Sequence, residues 1–185
     1  RLFLKGDYVL TNNFKQWMKT ICSGYTRKFP QEGWPVVKGC NGNSYSLLGI
    51  FNGNCSPFCF GSASPSLDYG ETAILFGRGT EPFSRDDYKL NLITSGLNFT
   101  YSNFVGLKDD TGHPYIDKVI ICTNTSDSPI TISEVGFVCG LNVLDGESRI
   151  SAYVLIDRTI LSSPVTIGKD ESCAIKYSMV NQFDV

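Results

Sequence analysis

Seven cysteines and a single histidine are the side chains of this 185-residue chain best equipped for chemistry. The cysteines are Cys22, Cys40, Cys55, Cys59, Cys122, Cys139 and Cys173, an odd number that leaves at least one thiol unpaired within the chain. Only Cys55 and Cys59 are close, and their C-x-x-x-C spacing suits neither a zinc ribbon nor a dithiol redox site, both of which use C-x-x-C. Cys173 alternates with Ile175, Tyr177 and Met179, and Cys139 shares its parity with Val135 and Phe137. Such placement is that of a small buried hydrophobe with a free thiol, and free thiols point to assembly in a reducing compartment. His113 sits in a polar turn just before Pro114. Any Ser-His-Asp or Cys-His catalytic pair would have to use it, and a solvent-facing turn residue is the simpler reading.

The remaining polar groups are no more suggestive. Asp109-Asp110-Thr111-Gly112 lacks the alternating oxygen ligands and terminal Glu of a calcium loop, so it reads as a turn. Gly77-Arg78-Gly79-Thr80 lacks the G-x-x-x-x-G-K-S/T spacing of a phosphate loop. Asp157-Arg158, inside a long apolar stretch, is a candidate buried or interfacial ion pair. Asn54, Asn98 and Asn124 each head a glycosylation sequon, expected by chance in an Asn-rich chain. Ser66-Leu-Asp68-Tyr-Gly70-Glu-Thr72-Ala73 resembles the Asp box of sialidase propellers, with Ala73 in place of the final aromatic. One degenerate copy implies a local turn and not a propeller, which needs several blades. On these types and spacings no catalytic residue, cofactor or metal site is expected, and the chain is not expected to be an enzyme. A hydrolase on a jelly-roll scaffold would have to rely on His113.

The elements that would carry these residues fall into two textures. Residues 1–65 are an irregular N-terminal segment, punctuated by Gly33, Pro35, Gly39, Gly42, Gly49, Gly53 and Pro57. One short helix is expected near residues 13–22: Phe14, Trp17, Met18 and Ile21 fall at i, i+3, i+4 and i+7, Asn12 or Asn13 could cap it, and Gly24 could end it. Tyr45 to Phe51 is the best strand of this half. Residues 66–185 alternate strands with turns. The expected strands are residues 71–76, an aromatic stretch over 97–107, and then 115–123, 130–139, 150–160, 164–167 and 172–180. Short strands with turn signals at near-regular spacing predict a mainly β fold, an antiparallel β-sandwich or jelly-roll-like domain. Apolar residues make up 42 % of the chain and charged ones 18 %, enough for a real core and unlike a disordered protein. A formal charge of −2 supplies no basic field, so neither nucleic acid nor an anionic membrane is expected as a partner. The chain opens at Arg1 without a signal-peptide pattern, so it is expected to be a processed product or a part of a longer one.

Three segments resemble those of bacteriophage virion proteins. Gly77-Arg-Gly79-Thr80-Glu-Pro82 through Asp87-Tyr88-Lys-Leu90 is similar to one such segment. Ile132-Ser-Glu134-Val135-Gly136 is similar to a second, and Arg158-Thr159-Ile160-Leu161 through Pro164-Val165-Thr166-Ile167, Glu171, Ile175 and Tyr177 to a third. The resemblance covers roughly residues 66–180 and its motifs carry no chemistry. It implies a structural subunit of a phage particle, capsid-associated (decoration or head-fibre) or a tail component, assembled in the host cytoplasm and located in the virion. Its implied partners are copies of itself, in a symmetric homo-oligomer, and neighbouring virion proteins. Phe99, Tyr101, Phe104 and Tyr153 are the candidate interface residues, although a strand facing the core would carry the same side chains. The irregular N-terminal segment could clasp a neighbour. The alternative is a carbohydrate-binding β-sandwich, lectin-like or receptor-binding, stacking sugars on Tyr and Trp faces. Trp17 and Trp34 lie in the irregular half, which weakens it.

Overall fold

The computed structural model describes residues 2–3, 11–16, 35–47, 72–93, 95–101, 105–108 and 114–180. Among them the elements are β1 (Leu2–Phe3), α1 (residues 12–16), β2 (Val36–Lys38), β3 (Ser44–Leu47), β4 (Thr72–Gly77) and β5 (Leu97–Tyr101). There follow β6 (Val105–Lys108), β7 (Pro114–Asn124), β8 (Ile130–Asp145), β9 (Ser148–Ile167) and β10 (Ser172–Val180). The chain is mainly β with antiparallel sheets, as its alternation and turn spacing predict. It divides into two compact units interleaved along the sequence. One takes in Arg1–Lys5, Ile93–Ile132 and Pro164–Val185; the other takes in Gly6–Leu92 and Ser133–Ser163. His113, Phe104, Trp17, Trp34, Cys22, Cys55, Cys59 and the Asp-box turn lie outside the described residues.

In the first unit β7 pairs with β10, β5 and β6, and β1 adds a parallel pairing to β10, Leu2 beside Ile175. Period-2 alternation decides the faces. Ile120, Cys122 and Asn124 are buried with Ile175 and Tyr177, while Ile121 between them is exposed. The aromatic stretch expected as one strand is two, because β5 pairs with Ile120–Asn124 and β6 with Pro114–Asp117. Asn124 closes this unit's turns. Fully buried, it donates from Nδ2 to the Ser128 and Ile167 carbonyls (2.8 and 2.9 Å) and accepts from the Ser126 amide and hydroxyl through Oδ1 (2.8 and 2.7 Å). Its backbone binds Asp170 and Glu171. A side chain so engaged has no free amide to glycosylate, so the Asn124 sequon is silent in the folded protein.

In the second unit β8 is the organising strand. It pairs with β4 from Glu134 to Cys139, with β3 at Val143 and Leu144, and with β9. Residues 132–141 are buried without a break, the pattern of a strand covered on both faces. Val135, Phe137, Cys139, Leu141 and Val143 make one face, shared by Phe76, Ile74 and Leu47, which pair with Val135, Phe137 and Val143. The opposite face carries Glu134 and Gly136 and receives the segment after β4: a Cβ on Gly136 would meet Leu90 Cδ1 at 2.8 Å. β8 turns into β9 through Gly146, whose φ of 61° suits the first central position of a tight hairpin turn. β9 runs unbroken from Ser148 to Ile167, so the two strands expected at 150–160 and 164–167 are one. Residues 36–47 belong to this sheet through the β2–β3 and β3–β8 ladders. A bridge between Gly39 and Val154 then returns β2 to β9, closing the circuit β9–β8–β3–β2.

The helix begins one residue before the expected start, and its asparagines do not cap it. Thr11 precedes it, its carbonyl accepting from the Lys15 amide at 3.4 Å and its hydroxyl donating to the Leu155 and Ile156 carbonyls. Asn13 is buried and works across the fold. Its Oδ1 accepts from the Lys38 amide (2.8 Å), and its Nδ2 donates to the carbonyls of Lys38 (2.9 Å) and Leu155 (3.1 Å). The carboxamide thus pairs with Lys38 as a neighbouring strand would, sealing the edge of β2 at that residue.

Candidate functional site: a polar cleft backed by a buried ion network

The Asp157–Arg158 pair expected from the sequence is not formed by those two residues. Successive side chains in a strand point to opposite faces. Arg158 instead reaches Glu134 on β8, Nε to Oε2 at 2.7 Å, and Asp87 after β4, Nη1 to Oδ2 at 2.7 Å. Glu134 is fully buried, and its Oε1 also accepts the amides of Gly79 (3.0 Å) and Asn91 (2.5 Å). Asp87 Oδ2 accepts the Ser84 amide at 2.9 Å. Burial works against the Arg158 charge, but the hydrogen bonds it donates to Glu134 and Asp87, with the charges of those acids, outweigh it and hold its pKa above the ordinary value. A carboxylate with three donors and a guanidinium with two acids is a satisfied buried network. Its work is to fix the 78–92 segment onto β8.

This network joins three stretches distant in sequence, residues 77–91, residues 132–136 and the stretch that opens at Arg158. Gly77 and Gly79 lie against the Glu134 carboxylate. A Cβ on Gly79 would come within 2.5 Å of Oε2, and one on Gly77 would collide with Oε1. Glycine at both places is therefore a packing requirement of Glu134.

The same segment forms one wall of a cleft of about 420 Å³, the opposite walls being α1 and β2. Asp87 and Asn13 line it, and each is anchored from behind, Asp87 by Arg158 and Asn13 by Lys38 and Leu155. Asn12 Nδ2 donates to Asp86 Oδ1 at 2.8 Å and ties α1 to the far wall, as does the Asn12 amide bound to the Arg85 carbonyl. Lys38 Nζ lies 3.9 Å from the centroid of the Tyr88 ring, a cation–π contact that holds the ammonium at the wall. Lys15 and Arg85 complete the lining cations, and among the described residues none of the three is paired with a carboxylate. Val36, 48 % exposed, lies on the free side of β2 beside them.

Of the candidate interface residues that are described, Phe99 and Tyr101 belong to the first unit and Tyr153 to the second. Phe99 is half-buried on β5 opposite Cys122 in the first unit. Tyr101 occupies the last position of β5, opposite Ile120. Tyr153 is 42 % exposed on β9 in the second unit, its carbonyl bound by the Cys40 amide. The sequence signalled none of the cleft residues as a group. Glu134 had a signal: it is the lone carboxylate in the apolar run from Ile132 to Cys139, and a buried acid needs a base.

Cys40, Cys122, Cys139 and Cys173 are free thiols. Burial pushes Cys122 up from 9.0 to about 12, helped by neighbouring Cys173, and pushes Cys40 up to about 11. Such thiols are inert and not nucleophilic. Among the described residues no group of three or more His, Cys, Asp or Glu is placed to hold a metal ion, and no helix is long and apolar enough to cross a membrane. Compared with protein-family models, curated proteins and solved structures, the chain matches none.

Proposed function

We propose that this chain is a structural subunit of a bacteriophage virion, capsid-associated or in the tail, and acts by assembling with its own copies and with neighbouring virion proteins. The observation that supports this reading is the meeting of residues 77–91, 134 and 158 in one buried network. Glu134, Asp87 and Arg158, one from each segment of the resemblance, act as a unit that holds a loop to a sheet. A rigid β scaffold of this kind serves assembly, with partners that are proteins. Among the described residues, Tyr153 is an exposed large side chain of the candidate interface set.

Two measurements test the proposal. Mass spectrometry of gradient-purified particles from the native source is expected to find peptides of this chain at fixed stoichiometry. Light scattering of the purified chain is expected to give one symmetric oligomer, which Tyr153→Asp weakens. A chain absent from particles, or a monomer at all concentrations that turns over a small molecule, overturns the reading.

A further inference from the structure

We propose that the cleft between α1, β2 and the 85–88 segment binds a small polar solute through an anionic head group, carboxylate or phosphate. Three observations carry it. First, the cleft is of ligand size, about 420 Å³, within the roughly 300–1,000 Å³ usual for small-molecule sites. Second, its charge is unbalanced toward the cation although the whole chain carries −2. Lys15, Lys38 and Arg85 face two acids, and both acids are already engaged, Asp87 by Arg158 and Asp86 by Asn12. Third, the walls are preorganised. Lys38 is held at its backbone by Asn13 and at its ammonium by Tyr88, and Arg85 lies between residues pinned to Ser84 and α1.

Cations that pair with no carboxylate among the described residues, set around a concavity, favour an anion, since charge-assisted hydrogen bonds to an ammonium or guanidinium are the stronger kind. The body of the ligand meets Asn12, Ser44 and Gln16, a wall suited to hydroxyl groups and not to hydrocarbon. The site is independent of the assembly proposal, because it needs only the geometry of this unit.

The experiment titrates the full chain with glucuronate, glucose 6-phosphate and glucose, followed by calorimetry and by amide chemical shifts. The expected result is saturable binding of at least one anionic sugar, tighter than glucose by about tenfold or more. The amide shifts are expected at Val36, Lys38 and Asp86. Which anion binds identifies the head group, carboxylate or phosphate. Arg85→Gln and Lys15→Gln, both exposed and remote from the core, are expected to keep the melting temperature and to weaken binding about tenfold together. Glucose binding as well as the anions, no saturation with either anion, or shifts confined to another surface would each overturn the proposal. So would affinity that survives both substitutions.

Discussion

The Gly79 amide donates to Glu134 Oε1 at 3.0 Å, and no side chain could replace its hydrogen, because a Cβ there would lie 2.5 Å from Glu134 Oε2. A buried carboxylate has here selected a glycine 55 residues away. Gly79→Ala must therefore either displace Glu134 from Arg158 or lift the loop from β8. Either route is expected to cost about 2–3 kcal/mol in urea unfolding, the scale of an overpacked core. Gly146→Ala is the control. Nothing lies within 4 Å of its Cβ position, so only the positive φ is penalised, at about 1 kcal/mol. Equal costs at the two positions would contradict the steric account.

The ion network is expected to behave as a coupled unit. Glu134→Gln keeps an acceptor for Gly79 and Asn91 but faces its amide toward Arg158, which loses the buried one of its two acids. Arg158→Met leaves Glu134 charged and buried. Each is expected to cost about 3 kcal/mol or more, the scale of a broken buried pair. The double variant is expected to lose less than the sum of the singles by at least about 1 kcal/mol. Strict additivity in a denaturant double-mutant cycle would show that the two groups do not meet.

Asp170 holds a φ of 60°, the left-handed conformation, in the turn between β9 and β10. Its amide binds the Asn124 carbonyl, a bond that any residue keeps. Asp170→Gly relieves the conformational penalty and is expected to raise stability by roughly 0.5–1 kcal/mol, whereas Asp170→Val is expected to lower it. Melting temperatures of the two variants moving in the same direction would refute this.

The buried thiols predict an alkaline dependence. A thiol raised from 9.0 to about 12 holds its proton in the folded chain where the unfolded chain would lose it. Its contribution is therefore complete below pH 9 and is lost as pH rises from there toward 12. Cys40, raised to about 11, adds to the same slope. Stability measured by urea titration is expected to fall across this window, and Cys122→Val is expected to flatten the fall. In the folded chain Cys122 is expected to react with an aromatic disulfide reagent more slowly than Cys173, which is partly exposed. An unchanged slope in Cys122→Val would reject the assignment.

Much of the sheet architecture was legible because it follows from neighbours in sequence. Parity placed Val135, Phe137 and Cys139 on one face and Cys173, Ile175 and Tyr177 on another; all are buried except Cys173, which is half-buried near the start of β10. Gly146 stands between the apolar stretches that became β8 and β9, and it takes there a φ that Gly adopts without strain. Strand ends were less legible: Pro164 suggested a break, yet β9 continues through it to Ile167.

Partners across the fold were decided by tertiary structure alone. The same parity that ordered the faces turns Asp157 away from Arg158, so the arginine must find its acids at Glu134, 24 residues back, and at Asp87, 71 residues back. Asn13 offers the residue type of a helix cap, but the edge of β2 at Lys38 competes for the same carboxamide and takes it. Local sequence fixes the direction a side chain points; which groups stand there to receive it depends on how distant strands are brought into register. The cleft has its walls from three separate stretches of chain, 12–16, 36–44 and 85–88, and so it exists only once those strands have paired.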